Sequence, residues 1–193
     1  MKTYSEITSL FEKANREFLT SEVSLFDREV SERTLCGALM LHIYNLIRID
    51  PSFDGYYVDV EYNRNKGGLK TICKTIQGQD FRIISINCDL ILHSRGEKLE
   101  QDNLLAIEMK KSYRPQEEKE SDRERLIALT KASYDDIWSA DGRSLPEHVC
   151  GYVLGVYYEI DFQHKTILIE FYRNGHKVNE TTCPFSAHCA DSD

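Results

Sequence analysis

The ten residues NLLAIEMKKS, Asn103 to Ser112, constrain this chain more than any other stretch. They are built like a buried strand. Leu104, Ala106, Glu108 and Lys110 share one face, and Leu105, Ile107 and Met109 share the other. Side chains two apart on a strand stand roughly 7 Å from one another. An acid and an amine at that spacing, beside apolar residues, are costly unless something uses them. A fold for this chain therefore has to bury the strand and also find a partner for each charge.

The rest of the chain reads as helices followed by strands. Ile7, Leu10, Phe11, Ala14 and Phe18 recur at helical spacing, which predicts a helix over Tyr4 to Phe18. A longer helix is expected from about Val23 to Ile47, broken before Pro51. The period then changes to two. Tyr56 to Tyr62 (YYVDVEY) is a strand, and Phe81 to His93 (FRIISINCDLILH) is one long strand or two joined. Asn103 to Ser112 follows a turn around Gly96. Residues Tyr113 to Glu120, containing Pro115, read as a loop. A helix then starts at Ser121 as N-cap, with Asp122 and Glu124 in its first turn. VCGYVLGVYYEID and KTILIEFYR close the chain as a hairpin, with a polar tail from about residue 174. The order is helix, helix, three strands, helix, two strands. That is a mixed sheet with helices against it, α/β in class. At 193 residues one domain is expected over 1–193.

No run approaches the ~20 apolar residues of a membrane span. The N-terminal residues lack the apolar core of a signal peptide, so cytoplasm is the expectation. The six cysteines are scattered, with no C-x-x-C pair, and read as small core residues or exposed thiols. His176, Cys183, His188 and Cys189 match no standard zinc spacing. A net charge of −8 excludes a protein coated with positive charge for nonspecific nucleic-acid binding, though not a local basic face. Asn63 to Lys74 offers one, with Arg64, Lys66, Lys70 and Lys74 and no acid. The other reading of that segment is a solvated hairpin with lysines guarding an edge.

Glu108-x-Lys110 gains weight from its surroundings. A second E-x-K, Glu117 to Lys119, lies in a polar stretch with no strand pattern. On the earlier strand Asp89 shares the more polar face with Ser85, Asn87, Ile91 and His93. If the two strands are neighbours, Asp89, Glu108 and Lys110 converge. Two carboxylates suit a hard divalent cation, Mg²⁺ as a rule, that keeps open positions for water and a phosphate oxygen. A lysine near that water orients it and stabilises charge developing on phosphorus. Glu32 adds a third acid, in helical register with Leu35, Cys36, Leu39 and Ile43 on the inward face. Its other reading is a first-turn carboxylate behind an N-cap at Ser31.

Glu32 in an early helix, then Asp89, then Glu108-Met109-Lys110, then a helix opening SDRERL, resembles the PD-(D/E)XK nuclease superfamily. The resemblance spans roughly residues 24–161. It implies a restriction-endonuclease-like fold and Mg²⁺- or Mn²⁺-dependent hydrolysis of nucleic acid, usually DNA, as in restriction, repair or anti-phage systems. Asp89 and Glu108 would hold the metal, Lys110 would serve the attacking water, and Glu32 would match the helix acid of many members. Arg123 or Arg125 of the following helix would reach into the site. Lys111 and Arg123, with the basic segment at 64–74, are the expected nucleic-acid contacts. The chain departs from the pattern at Cys88, where the motif is named for proline. A second function class stands beside this one: a nuclease-like fold that binds a protein or nucleic acid and cuts nothing. The intact Asp89, Glu108 and Lys110 favour the first. The acidic net charge favours the second, or a nuclease gripping DNA with the help of a second subunit or a protein partner.

Overall fold

The computed structural model describes residues 1–61, 88–131 and 150–185, and the backbone alone of short strands at 64–65, 68–69, 71–75, 81–85 and 137–138. Thr3 opens α1 (Tyr4–Ser21) through a reciprocal cap with Glu6, and Ile7, Phe11, Ala14 and Phe18 point inward along it. The long second helix expected from Val23 is in fact two. A short α2 (Val23–Asp27) ends before Glu29, whose φ of 50° is left-handed. Ser31 then caps α3 (Glu32–Ile49) by accepting from the amide of Thr34. Leu25 and Phe26 keep the apolar rhythm across this break, which is why the periodicity alone does not reveal it.

Among the described residues six strands form one mixed sheet: β1 (Tyr57–Val60), β2 (Leu90–His93), β3 (Asn103–Lys111), β4 (Leu154–Asp161), β5 (Thr166–Arg173) and β6 (His176–Pro184). They lie side by side in chain order, antiparallel everywhere except between β3 and β4. The parallel pair needs a crossover, and α4 (Gln116–Thr130) supplies it. The strand expected over Phe81 to His93 is two: backbone strands at Phe81–Ser85 and Leu90–His93 belong to different sheets.

Helices cover both faces of the central strands. Leu105, Ile107 and Met109 of β3, with Val156 and Tyr158 of β4, pack against α1 and α3 in the larger core. Tyr158 donates a hydrogen bond to Asn15 of α1 at 2.8 Å. Ala106 of β3, Tyr157 of β4 and Tyr172 of β5 face α4 through Leu126 and Leu129. Gly155 permits the close approach there, since a Cβ on it would stand 2.9 Å from Cγ2 of Thr130.

Two further expectations are corrected. The last helix starts at Gln116, five residues before Ser121, with Glu117 and Glu118 in its first turn. Pro115 enters it, and a fixed φ favours a helix start as readily as a loop. The second E-x-K therefore lies on a helix. The closing hairpin is a three-stranded meander, because His176–Pro184, expected as tail, pairs antiparallel with β5. Every residue of β6 except Cys183 is exposed, so no alternation marked it as a strand.

Candidate active site

The site forms where β2 begins and β3 ends. Leu90 pairs with Ile107 and Ile91 with Ala106. One step outward, the register sets Asp89 opposite Glu108, and directly opposed residues have Cβ atoms about 5 Å apart. Asp89 is anchored from both sides. Its Oδ2 accepts the amide of Met109 at 2.7 Å, and its carbonyl accepts the amide of Glu61, just beyond β1, at 3.2 Å. The two acids singled out in the sequence thus stand opposite each other on neighbouring antiparallel strands.

Glu108 is 1% exposed, on the sheet face that α4 covers. Arg125 of α4 meets it, with Nη1 donating to Oε1 at 2.6 Å. Lys110, one rung further along β3, lies 2.9 Å from Oδ2 of Asp122, also on α4. Asp122 is 4% exposed, and its other oxygen accepts from Nη1 of Arg125 at 3.2 Å. The four side chains form a chain of alternating charge: Glu108, Arg125, Asp122, Lys110.

Burial pushes the Glu108 carboxyl up to about 8; Arg125 pulls it down, while Asp89 and Asp122 push it further up. Asp89 is raised as well, by burial first, with the Met109 amide and Lys110 opposing. For Lys110, burial works against the charge. The carboxylate of Asp122 beside it, with Asp89 and Glu32 beyond, outweighs that and holds the ammonium above its ordinary value. Among the described residues the local balance is therefore short of positive charge: three carboxyls, Asp89, Glu108 and Asp122, share two cations, Lys110 and Arg125.

That shortage, and the hard oxygen donors, fit a divalent cation. Among the described residues no three His, Cys, Asp or Glu side chains are grouped to hold a metal. The Asp89–Glu108 pair is the donor set at hand, and Mg²⁺ commonly takes one or two carboxylates and fills its octahedron with water and phosphate oxygens.

Glu32 occupies the first turn of α3 and also turns toward the sheet. Its Oε1 accepts the amide of Lys111 at 2.9 Å, and Nε of Arg114 stands 3.8 Å away. The two sequence readings of this residue are therefore compatible. Glu32, Cys36, Glu61 and Asp89 line an open pocket of about 350 Å³ beside the site, with the two-pronged Arg33–Glu61 ion pair at its rim. Glu61 has a left-handed φ of 52°, a strained setting for a glutamate.

The expected nucleic-acid contacts divide. Lys66 and Lys70 lie outside the described residues, and Arg64 and Lys74 are described in their backbone alone, within strands Arg64–Asn65 and Thr71–Thr75. Lys111 is buried, donates to the carbonyl of Glu29 at 3.1 Å, and lies over the ring of Phe162. Arg123 forks onto Glu170 at 2.9 and 3.1 Å and stacks 4.0 Å above Tyr157. Both charges are engaged within the protein. Of the two arginines offered for the site, Arg125 reaches it.

Sequence reading overlooked Asp122 as more than a first-turn acid. A signal was present. Asp122 falls in helical register with Leu126 and Leu129, and all three are buried. An acid on an apolar stripe needs a partner, the same argument that singled out Glu32.

Compared with protein-family models, with curated proteins and with solved structures, the chain matches none.

Proposed function

We propose that this protein is a metal-dependent nuclease that hydrolyses phosphodiester bonds of DNA, built on the PD-(D/E)XK plan that its sequence resembles. The observation that carries the reading is the 2.7 Å hydrogen bond from the Met109 amide to Asp89. It fixes one carboxylate beside the Glu108-x-Lys110 strand end, so that two acids and an amine occupy one corner of the sheet. Counting the α-helices and the strands of the six-stranded sheet, the order from α3 to β4 is helix, three strands, helix, strand, which supports the same reading.

Asp89 and Glu108 would hold Mg²⁺ or Mn²⁺, which supplies polarisation of the phosphate and a more acidic bound water. The chain's own groups do the rest. Lys110, kept protonated by Asp122, would orient the attacking water and stabilise negative charge as it develops. Arg125 holds the buried Glu108 carboxyl in place. Glu32 ties the start of α3 to the end of β3 and adds negative charge at the pocket mouth.

The second reading is a nuclease-like module that binds without cutting. It is favoured by one observation: Lys110 and Arg125 are already paired with Asp122 and Glu108. Calorimetric Mn²⁺ binding beside plasmid cleavage separates the two. Asp89→Ala is expected to lose both metal and cleavage. Lys110→Ala is expected to keep the metal and lose on the order of 10²–10³ in kcat. Glu32→Gln is expected to fall between them. A wild type that cleaves nothing with any divalent metal leaves the binding module. A Lys110→Ala variant as fast as wild type places the chemistry elsewhere.

A further inference from the structure

We infer that Asp122 is a positioning residue for the proposed hydrolysis, setting the Lys110 ammonium in its working place beside Asp89 and Glu108. The inference rests on the nuclease reading and adds to it a residue from outside the E-x-K strand.

Two spacings coincide. Glu108 and Lys110 are two apart on β3, roughly 7 Å along the strand. Asp122 and Arg125 are three apart on α4, where Cβ atoms of such pairs stand about 5–6 Å apart. With α4 laid on that face of the sheet, the helix pair meets the strand pair one to one, opposite charges facing. The neighbouring inward positions of α4 are Leu126, Leu129 and Thr130, so this face accepts apolar side chains elsewhere. A buried ion pair gives little stability over an apolar pair of the same size. Stability therefore does not explain a chain of charges at the strand end that carries the acids. A lysine on a four-carbon stem has many rotamers, and Asp122 at 2.9 Å selects one of them.

A second feature gives Asp122 its leverage. The same carboxylate accepts from the Arg125 guanidinium that holds Glu108. Lys110 and Glu108 are thereby referred to a single point on α4. Removing the Asp122 charge frees the amine to move relative to the acids while Arg125 still holds Glu108, and misplacements of about 1 Å cost on the order of 10² in rate.

The test is a double-mutant cycle on the whole chain with Mn²⁺. Asp122→Asn, nearly the same shape without the charge, is expected to lower kcat by about 10²-fold. KM and the Mn²⁺ dissociation constant are expected to stay put. In a Lys110→Ala background the same change is expected to cost less than about twofold, because its effect passes through the missing amine. A metal-free arm reads the position directly. Acetic anhydride is expected to acylate Lys110 faster in Asp122→Asn than in wild type, with Lys119, paired to Glu159, unchanged as the internal reference. Equal rate losses in both backgrounds overturn the inference. So do unchanged labelling of Lys110 or faster labelling of both lysines, the mark of general loosening. An active wild type with additive losses overturns the role of Asp122 alone; an inactive wild type overturns the nuclease reading and this role with it.

Discussion

Replacing Glu108 with glutamine should change how stability depends on pH, and the sign follows from the site. The Glu108 carboxyl lies at about 8 in the folded chain, against 4.5 as its ordinary value. Below 4.5 the group is protonated whether folded or unfolded and favours neither state. Between 4.5 and 8 the unfolded chain has released the proton while the folded chain still holds it, so stability falls as pH rises. Above 8 both are ionised and the loss is complete. At about 1.4 kcal/mol per unit, the window corresponds to a loss on the order of 4–5 kcal/mol. Glu108→Gln keeps the shape and removes the titration. Its own offset, from leaving Arg125 without that carboxylate, is the same at every pH. Urea unfolding of both proteins at pH 5, 6, 7 and 8 therefore isolates the effect. The difference between them is expected to drift toward the variant by several kcal/mol over that range, with most of the drift complete by pH 8. Saturating Mn²⁺ should flatten the wild-type slope, because a cation at the site stabilises the ionised form. A difference constant to within about 0.5 kcal/mol, a scatter expected for independent sites, would refute the picture of a buried carboxyl short of positive charge.

Other expected outcomes bear on the scaffold and on substrate binding. Gly155→Ala would force a Cβ to within 2.9 Å of Thr130 and 3.2 Å of Tyr172, so a loss of about 1–3 kcal/mol is expected by thermal unfolding. Arg123→Met strips buried Glu170 of its forked partner and should cost about 3–5 kcal/mol in urea unfolding, less whatever Lys177, 3.8 Å away, compensates. Ser31→Ala removes the cap of α3 and should cost about 1 kcal/mol, read as a lower urea midpoint with an unchanged slope. A Lys66→Ala and Lys70→Ala double variant should lower the salt slope of DNA binding by about one for each phosphate the two lysines neutralise; an unchanged slope would assign the segment to a solvated hairpin.

The parts of the fold legible in the sequence are those where burial writes a period. Asn103–Lys111 was plain because its interior alternates between two covered faces, and α1 because its apolar residues keep one side. The break between α2 and α3 was not legible, since it depends on a left-handed glutamate and a serine cap inside an unbroken apolar rhythm. β6 was hidden because an exposed edge strand needs no apolar face. In the site, Glu108 and Lys110 could be placed from spacing alone. Which arginine of α4 would reach Glu108, and that Asp122 would meet Lys110, depends on how the helix is rotated against the sheet. No local pattern encodes that rotation.

The chain of charges also divides α4 into halves held by different forces. Its first ten residues are fastened by charge, through Lys119 to Glu159, Asp122 to Lys110, Arg123 to Glu170 and Arg125 to Glu108. Its last turns are fastened by Leu126 and Leu129 in an apolar cluster. Heating and cooling act on these attachments in opposite ways. The desolvation penalty of ion pairs shrinks as temperature rises, whereas apolar attachment weakens on cooling. The end of the helix over the acids should therefore hold relatively better in the warm, and the end near Gly155 should loosen first in the cold. Thermal adaptation of such a protein could then proceed at one end of α4 while the other stayed unchanged.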